Sequence, residues 1–193
     1  QLADIPIIGM VTRLDWQKGL DIVGHALHLL MNGFSGPAQF VVLGTGAAHY
    51  EDMFRQMAGY HREKMSAYIG YHAELAPLIY AGSDMFLMPS LFEPCGLGQM
   101  IAMRYGSVPI VRATGGLADT VQDGITGYSF YDFNTDALFH AIQRTTYTYN
   151  TDRDSWRRIQ ANGMTNNFSW ERSAQGYEQL YRWAQAQVGH FLG

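Results

Sequence analysis

A single cysteine, Cys95, makes an intrachain disulfide impossible, so stability must come from packing, and the composition suits a reducing compartment. Only 16% of the residues are charged, too few for a disordered or polyelectrolyte chain. The formal net charge of -4 leaves no cationic excess for general nucleic-acid binding, although a local cationic pocket is compatible with it. No apolar run approaches the roughly 18 residues of a membrane span, and the N-terminus has no signal-peptide pattern. The seven histidines do not make a metal site, because His25 and His28, which share a helical face, have no acidic or cysteine partner at ligand spacing. There is no G-x-S-x-G nucleophile elbow, which argues against a hydrolase. No cofactor is assigned.

What is present is a chain of 193 residues, 47% apolar and 13% aromatic, enough for one packed domain. It begins with Gln1 and enters an apolar strand almost at once, which is read as a boundary within a longer polypeptide. Ile5 to Val11 reads as a strand, followed by a polar loop from Thr12 to Lys18. A helix then carries Leu20, Val23, Leu27 and Leu30 on one face and stops at Asn32-Gly33. The alternation repeats through strands at 39–44, 65–69, 85–88 and 108–111, with helices at 47–59, around 75–79 and after Gly96. Such alternation predicts an α/β fold, a doubly wound, Rossmann-like parallel sheet covered on both faces. Ligands of these sheets sit beyond the carboxyl ends of the strands.

Beyond Gly127 the pattern turns mainly helical, with helices expected at 135–146, 152–162 and 170–188 and the helical segment starting near residue 134. The last has a stripe of Trp170, Ala174, Tyr177, Tyr181, Ala184 and Val188. Packing on the domain's own sheet is the expectation for it, and contact with a further domain is the alternative.

Five post-strand segments carry candidate chemistry. Arg13 and Lys18, on the first loop beside a helix N-terminus, suit a diphosphate, or are solvated surface charges. Leu43-Gly44-Thr45-Gly46 has His49 where the third glycine of a dinucleotide fingerprint belongs, so it reads as a tight strand-to-helix turn, and the oxidoreductase reading is set aside. In Pro89-Ser90-Leu91-Phe92-Glu93-Pro94-Cys95-Gly96-Leu97-Gly98, Glu93 can accept hydrogen bonds from sugar hydroxyls while the Gly96, Leu97 and Gly98 amides face sugar or phosphate oxygens. The alternative is that Glu93 is a helix N-terminal acid held by the dipole. Thr114-Gly115-Gly116 is by itself a turn, and Tyr71 suits stacking on a nucleobase or ordinary packing.

Thr12-Arg13-Leu14-Asp15-Trp16-Gln17-Lys18-Gly19, Glu93-Pro94-Cys95-Gly96-Leu97 and Thr114-Gly115-Gly116-Leu117-Ala118-Asp119-Thr120-Val121 occur in this order, and Phe168-Ser169-Trp170-Glu171 follows them. Together they resemble bacterial glycogen synthases and plant starch synthases over nearly the whole chain. The resemblance implies the C-terminal domain, residues 1–193 here, of a glycosyltransferase-B architecture whose N-terminal acceptor-side domain is absent. It implies transfer of glucose from ADP-glucose, or UDP-glucose, to the non-reducing end of an α-1,4-glucan with retention and without a metal. The location would be cytoplasmic in a bacterium or plastidic in a plant.

On that resemblance Arg13 and Lys18 hold the donor diphosphate and stabilise the leaving nucleotide, Tyr71 packs on the base and Glu93 engages glucose. Cys95, Gly96, Leu97, Gly98, Thr114, Gly115 and Gly116 position sugar and phosphate. Glu93 is not expected to be a covalent nucleophile, because no matched carboxylate pair is present. Two departures stand out: Ile101 occupies the place of the second glutamate of broader-range transferases, and Gly98 replaces a larger or hydroxyl-bearing residue. A non-catalytic nucleotide- or glucan-binding module is the alternative function.

Overall fold

The structure, a computed structural model, describes residues 4–191, with side chains described through residue 187. Six strands, β1 (Ile7–Val11), β2 (Gln39–Gly44), β3 (Met65–Ile69), β4 (Met85–Met88), β5 (Val108–Arg112) and β6 (Tyr128–Phe130), form one sheet. Their order is β3-β2-β1-β4-β5-β6, and every neighbouring pair is parallel. The connection runs outward from β1 to β3, then crosses back to β4. The order therefore reverses between β1 and β4, the kind of position at which ligands of such sheets bind beyond the strand ends.

Among the described residues eight α-helices cover the sheet or follow it: α1 (Leu20–Met31), α2 (Ala48–Tyr60), α3 (Leu75–Gly82), α4 (Gly98–Tyr105), α5 (Gly115–Thr120), α6 (Thr135–Thr151), α7 (Arg153–Thr165) and α8 (Trp170–Phe191). In α1 the predicted face of Leu20, Val23, Leu27 and Leu30 is completely buried, each such side chain contributing about 1.5–3 kcal/mol. It packs with Ile8, Met10, Phe40 and Val42 from the strands and Leu138 and Ile142 from α6 in the main core. A second cluster on the opposite face joins Leu43, Ile79, Tyr80 and Phe86. Burial pushes the Tyr80 hydroxyl up to about 12.

Three readings need correction. Strand β6 lies before the helical segment expected from about residue 134 and adds a strand the alternation did not predict, three residues pairing with β5 at the sheet edge. The Gly115-Gly116 turn opens helix α5. The α8 stripe does not pack on the sheet. Its side chains from Trp170 to Gln187 are all exposed, Tyr177, Tyr181 and Trp183 among them, and Val188 lies outside the described side chains. Amphipathicity marks the stripe but not its partner, and among the described residues none covers it.

Candidate functional site

The first loop is held by its neighbours before any ligand is considered. The Leu14 amide donates to the Thr45 carbonyl at 2.9 Å, and Ala47 donates to Leu14 at 2.8 Å. A Cβ on Gly44 would stand 2.1 Å from the Thr12 carbonyl oxygen, and one on Gly46 would stand 2.2 Å from that of Leu14. These glycines let the β2 loop press on the β1 loop, as a tight turn should, and they do not form a dinucleotide cradle.

On the other side of β1, the 3-10 turn Trp16–Lys18 ends at Gly19, whose φ of 74° is left-handed. A Cβ there would lie 2.0 Å from the Pro89 carbonyl oxygen. The Leu91 amide donates to the Gln17 carbonyl at 2.9 Å, and the Gln17 side chain donates to the Phe92 carbonyl at 3.2 Å. This zipper carries Lys18 to Glu93, whose Oε2 it meets at 2.6 Å although 75 residues separate them. Ser90 Oγ donates to the same oxygen at 3.1 Å. Glu93 itself is only 8% exposed.

Glu93 precedes α4 by several residues, and the first turn of that helix contains no acid. The helix-dipole alternative for Glu93 therefore fails: an ammonium and a hydroxyl hold the carboxylate, not a helix end.

The β5 loop closes on the same segment. At Gly115 (φ 45°) a Cβ would sit 2.1 Å from the Glu93 carbonyl oxygen, and at Gly116 one would sit 2.1 Å from that of Cys95. The Gly116 amide donates to the Glu93 and Pro94 carbonyls at 3.1 and 3.2 Å, so it is engaged by the protein and is not aimed at a ligand. The Thr114 amide likewise donates to Arg112 at 2.9 Å. Cys95 and Leu97 are exposed beside this junction, and Gly96 takes the left-handed φ of 71°. A Cβ on Gly98 would meet the Met88 sulfur at 3.0 Å, so a larger residue there needs Met88 to move.

Arg13 and Tyr71 belong to a neighbouring concavity of about 390 Å³ beyond β1, β2 and β3, lined also by Thr12, Thr45, Gly70 and His72. Its apolar floor and the 87% exposed Tyr71 ring offer a flat surface, not core packing. Arg13 pairs with Asp15 at 3.1 Å and is mostly exposed. The candidates thus fall into two groups astride β1: Arg13 with Tyr71, and Lys18 with Glu93 and the glycine loops.

Residues the sequence reading missed supply the bracing. Gln99, fully buried, donates to the Cys95 and Gly96 carbonyls and to Thr120 Oγ1 at 3.2, 2.9 and 3.0 Å, tying the β4 loop to α5. Arg112 donates to the Leu91 carbonyl at 2.8 Å and to Tyr131 at 3.1 Å. Its place at the end of β5 is the only local signal for it.

Residues 5–146 match the family described as glycosyl transferases group 1. The chain belongs to that family. It is 48% identical to a glycogen synthase of Desulforudis audaxviator (strain MP104C), over 98% of this chain and 39% of that one. It is 49% identical to a glycogen synthase of Bacillus cereus (strain Q1), over 93% and 38% respectively. Among solved structures it superposes with the catalytic domain of starch synthase IV from Arabidopsis thaliana, bound to ADP and acarbose. That match has a TM-score of 0.84 and 36% identity, covering 94% of this chain and 38% of that one. The resemblance to glycogen and starch synthases read from the motifs therefore holds, with the chain spanning about two fifths of the length of these relatives. No described helix is long and apolar enough to cross a membrane.

Proposed function

We propose that this chain is the donor-binding, C-terminal part of a retaining glucosyltransferase that moves glucose from ADP-glucose, or UDP-glucose, onto the non-reducing end of an α-1,4-glucan. The observation that carries the proposal is the meeting of Lys18 and Glu93 at 2.6 Å beside the strand-order reversal, with the Arg13–Tyr71 concavity on the other side of β1. A nucleotide laid across β1 puts its base on Tyr71, its diphosphate against Arg13 and Lys18, and its glucose at Glu93 and the loops around Cys95 and Gly115. That the starch synthase relative is bound to ADP supports a nucleotide ligand for this kind of domain.

Breaking the bond between the anomeric carbon and phosphate develops negative charge on the departing nucleotide, which fixed cations stabilise. Arg13 and Lys18 supply them. Glu93 fixes the sugar through its hydroxyls, and the acceptor attacks on the face the nucleotide leaves. Acceptor contacts come from a further, N-terminal domain across the crevice, and the exposed aromatic stripe of α8 is a surface for contact with that domain. A bacterial protein of this kind works in the cytoplasm, and a plant one in the plastid.

The test is to assay the purified chain for ADP binding and for glucan elongation. It should bind ADP and fail to elongate a maltooligosaccharide. Binding of the glucan without ADP would favour the non-catalytic module, and robust elongation would overturn the division between domains.

A further inference from the structure

Glu93 is held unevenly. Lys18 Nζ and Ser90 Oγ both meet Oε2, at 2.6 and 3.1 Å, and among the described residues no protein hydrogen bond is made to Oε1. The two partners differ in freedom. Lysine carries its ammonium on a flexible four-carbon stem, whereas serine holds its hydroxyl one carbon from the backbone. Ser90 is 2% exposed, and its backbone is fixed by Arg112, whose Nη1 lies 3.5 Å from the Ser90 carbonyl oxygen and 2.8 Å from that of Leu91. Arg112 is in turn anchored to the Tyr131 carbonyl and lies over the Phe133 ring, 5.5 Å from its centre.

We infer that Ser90 is a positioning residue for the sugar: it fixes Glu93 through Oε2 so that Oε1 faces the glucose hydroxyls after Lys18 has turned to the diphosphate. The inference rests on the proposed donor reading, in which Lys18 is drawn to phosphate as the nucleotide enters. The pair at Oε2 then loses its mobile member, and a carboxylate with no other anchor would rotate. The Ser90 hydroxyl, set in a frame of Arg112 and β4, remains.

The experiment measures Kd for ADP and for ADP-glucose by calorimetry on the native chain, Ser90→Ala, Ser90→Cys and Glu93→Gln, with a melting temperature for each. Ser90→Ala should weaken ADP-glucose by roughly tenfold, the scale of one hydrogen bond to a charged group, and leave ADP within about twofold. Ser90→Cys, which keeps a weaker donor at the same position in a somewhat bulkier side chain, should fall between native and alanine provided its melting temperature is native-like. Equal weakening of both ligands would mark general damage to the loop and overturn the inference. If Glu93→Gln weakens ADP-glucose selectively while Ser90→Ala changes nothing, only the role of Ser90 fails. If Glu93→Gln also changes nothing, the sugar assignment falls and the inference with it.

Discussion

On the β4 and β5 side of the first strand, Lys18 and Glu93 are largely buried and bonded to each other, whereas on the β2 and β3 side Arg13 and Tyr71 stand in solvent. Lys18 and Glu93 are 17% and 10% exposed at the side chain, while Arg13 is 70% exposed. The backbone beneath is equally tight on both sides, since glycines at 44, 46, 19, 115 and 116 each allow a carbonyl to approach where a Cβ would stand. The difference lies in side-chain freedom. A half in which Glu93, Ser90 and the glycine loops are preorganised, with Lys18 free to turn to the diphosphate, suits the reacting sugar, where geometry controls rate. An open half suits a nucleotide that must enter and leave.

The largest expected effect comes from removing the shared tightness. Gly19→Ala combines a left-handed φ with a clash against the Pro89 carbonyl, and should lower unfolding free energy by about 3 kcal/mol or more in urea denaturation. Gly33→Ala has φ 85° and nothing within 4 Å, and should lose only about 1 kcal/mol. Equal losses would mean that the close approach of the two loops contributes little.

Arg13→Ala should weaken ADP by about 1–3 kcal/mol with adenosine and melting temperature unchanged, because the exposed guanidinium serves the phosphates and not the fold. A drop in melting temperature would instead place Arg13 with the structural half. Tyr71→Ala should weaken ADP and adenosine alike, by about 1 kcal/mol, through lost stacking. A loss confined to ADP would remove the base from this concavity.

The smallest effect is a control outside both halves. Burial raises the Asp123 carboxyl pKa, but hydrogen bonds from Arg144 and the Ser129 amide outweigh it and hold the pKa below the ordinary aspartate value. A depressed folded pKa stabilises above the unfolded pKa, and that stability is lost as pH falls through the folded one. Asp123→Asn should therefore destabilise by roughly 0.5 kcal/mol at neutral pH, the scale of a solvent-screened pair, and by nothing once native Asp123 is protonated. ADP affinity should not change at either pH.

Strands 39–44 and 85–88 were legible as near-continuous apolar runs of the sheet interior, whereas the edge strand 65–69, with Ser66 and Tyr68 exposed, was legible through its place in the strand–helix alternation. Strand β6 was not, because Tyr128-Ser129-Phe130 is too short and has a polar centre. Helix α6 runs on to Thr151 because Thr145 and Thr146 are buried and bonded to Ala141 and Ile142, which hides their polarity. In the site, residues on loops next to glycines could be picked out. Ser90, Gln99 and Arg112 could not, since each acts on a carbonyl or carboxylate defined only by the folded chain. The surroundings of α8 lie beyond what amphipathicity encodes.

The most direct test of the account is calorimetric titration of this chain with ADP, with Lys18→Ala measured beside it. One ADP should bind per native chain, and Lys18→Ala should weaken it about tenfold or more while adenosine binds as before. A native chain that binds maltooligosaccharide but no ADP, or a Lys18→Ala chain with unchanged ADP affinity, would contradict the placement of a donor diphosphate at the end of β1.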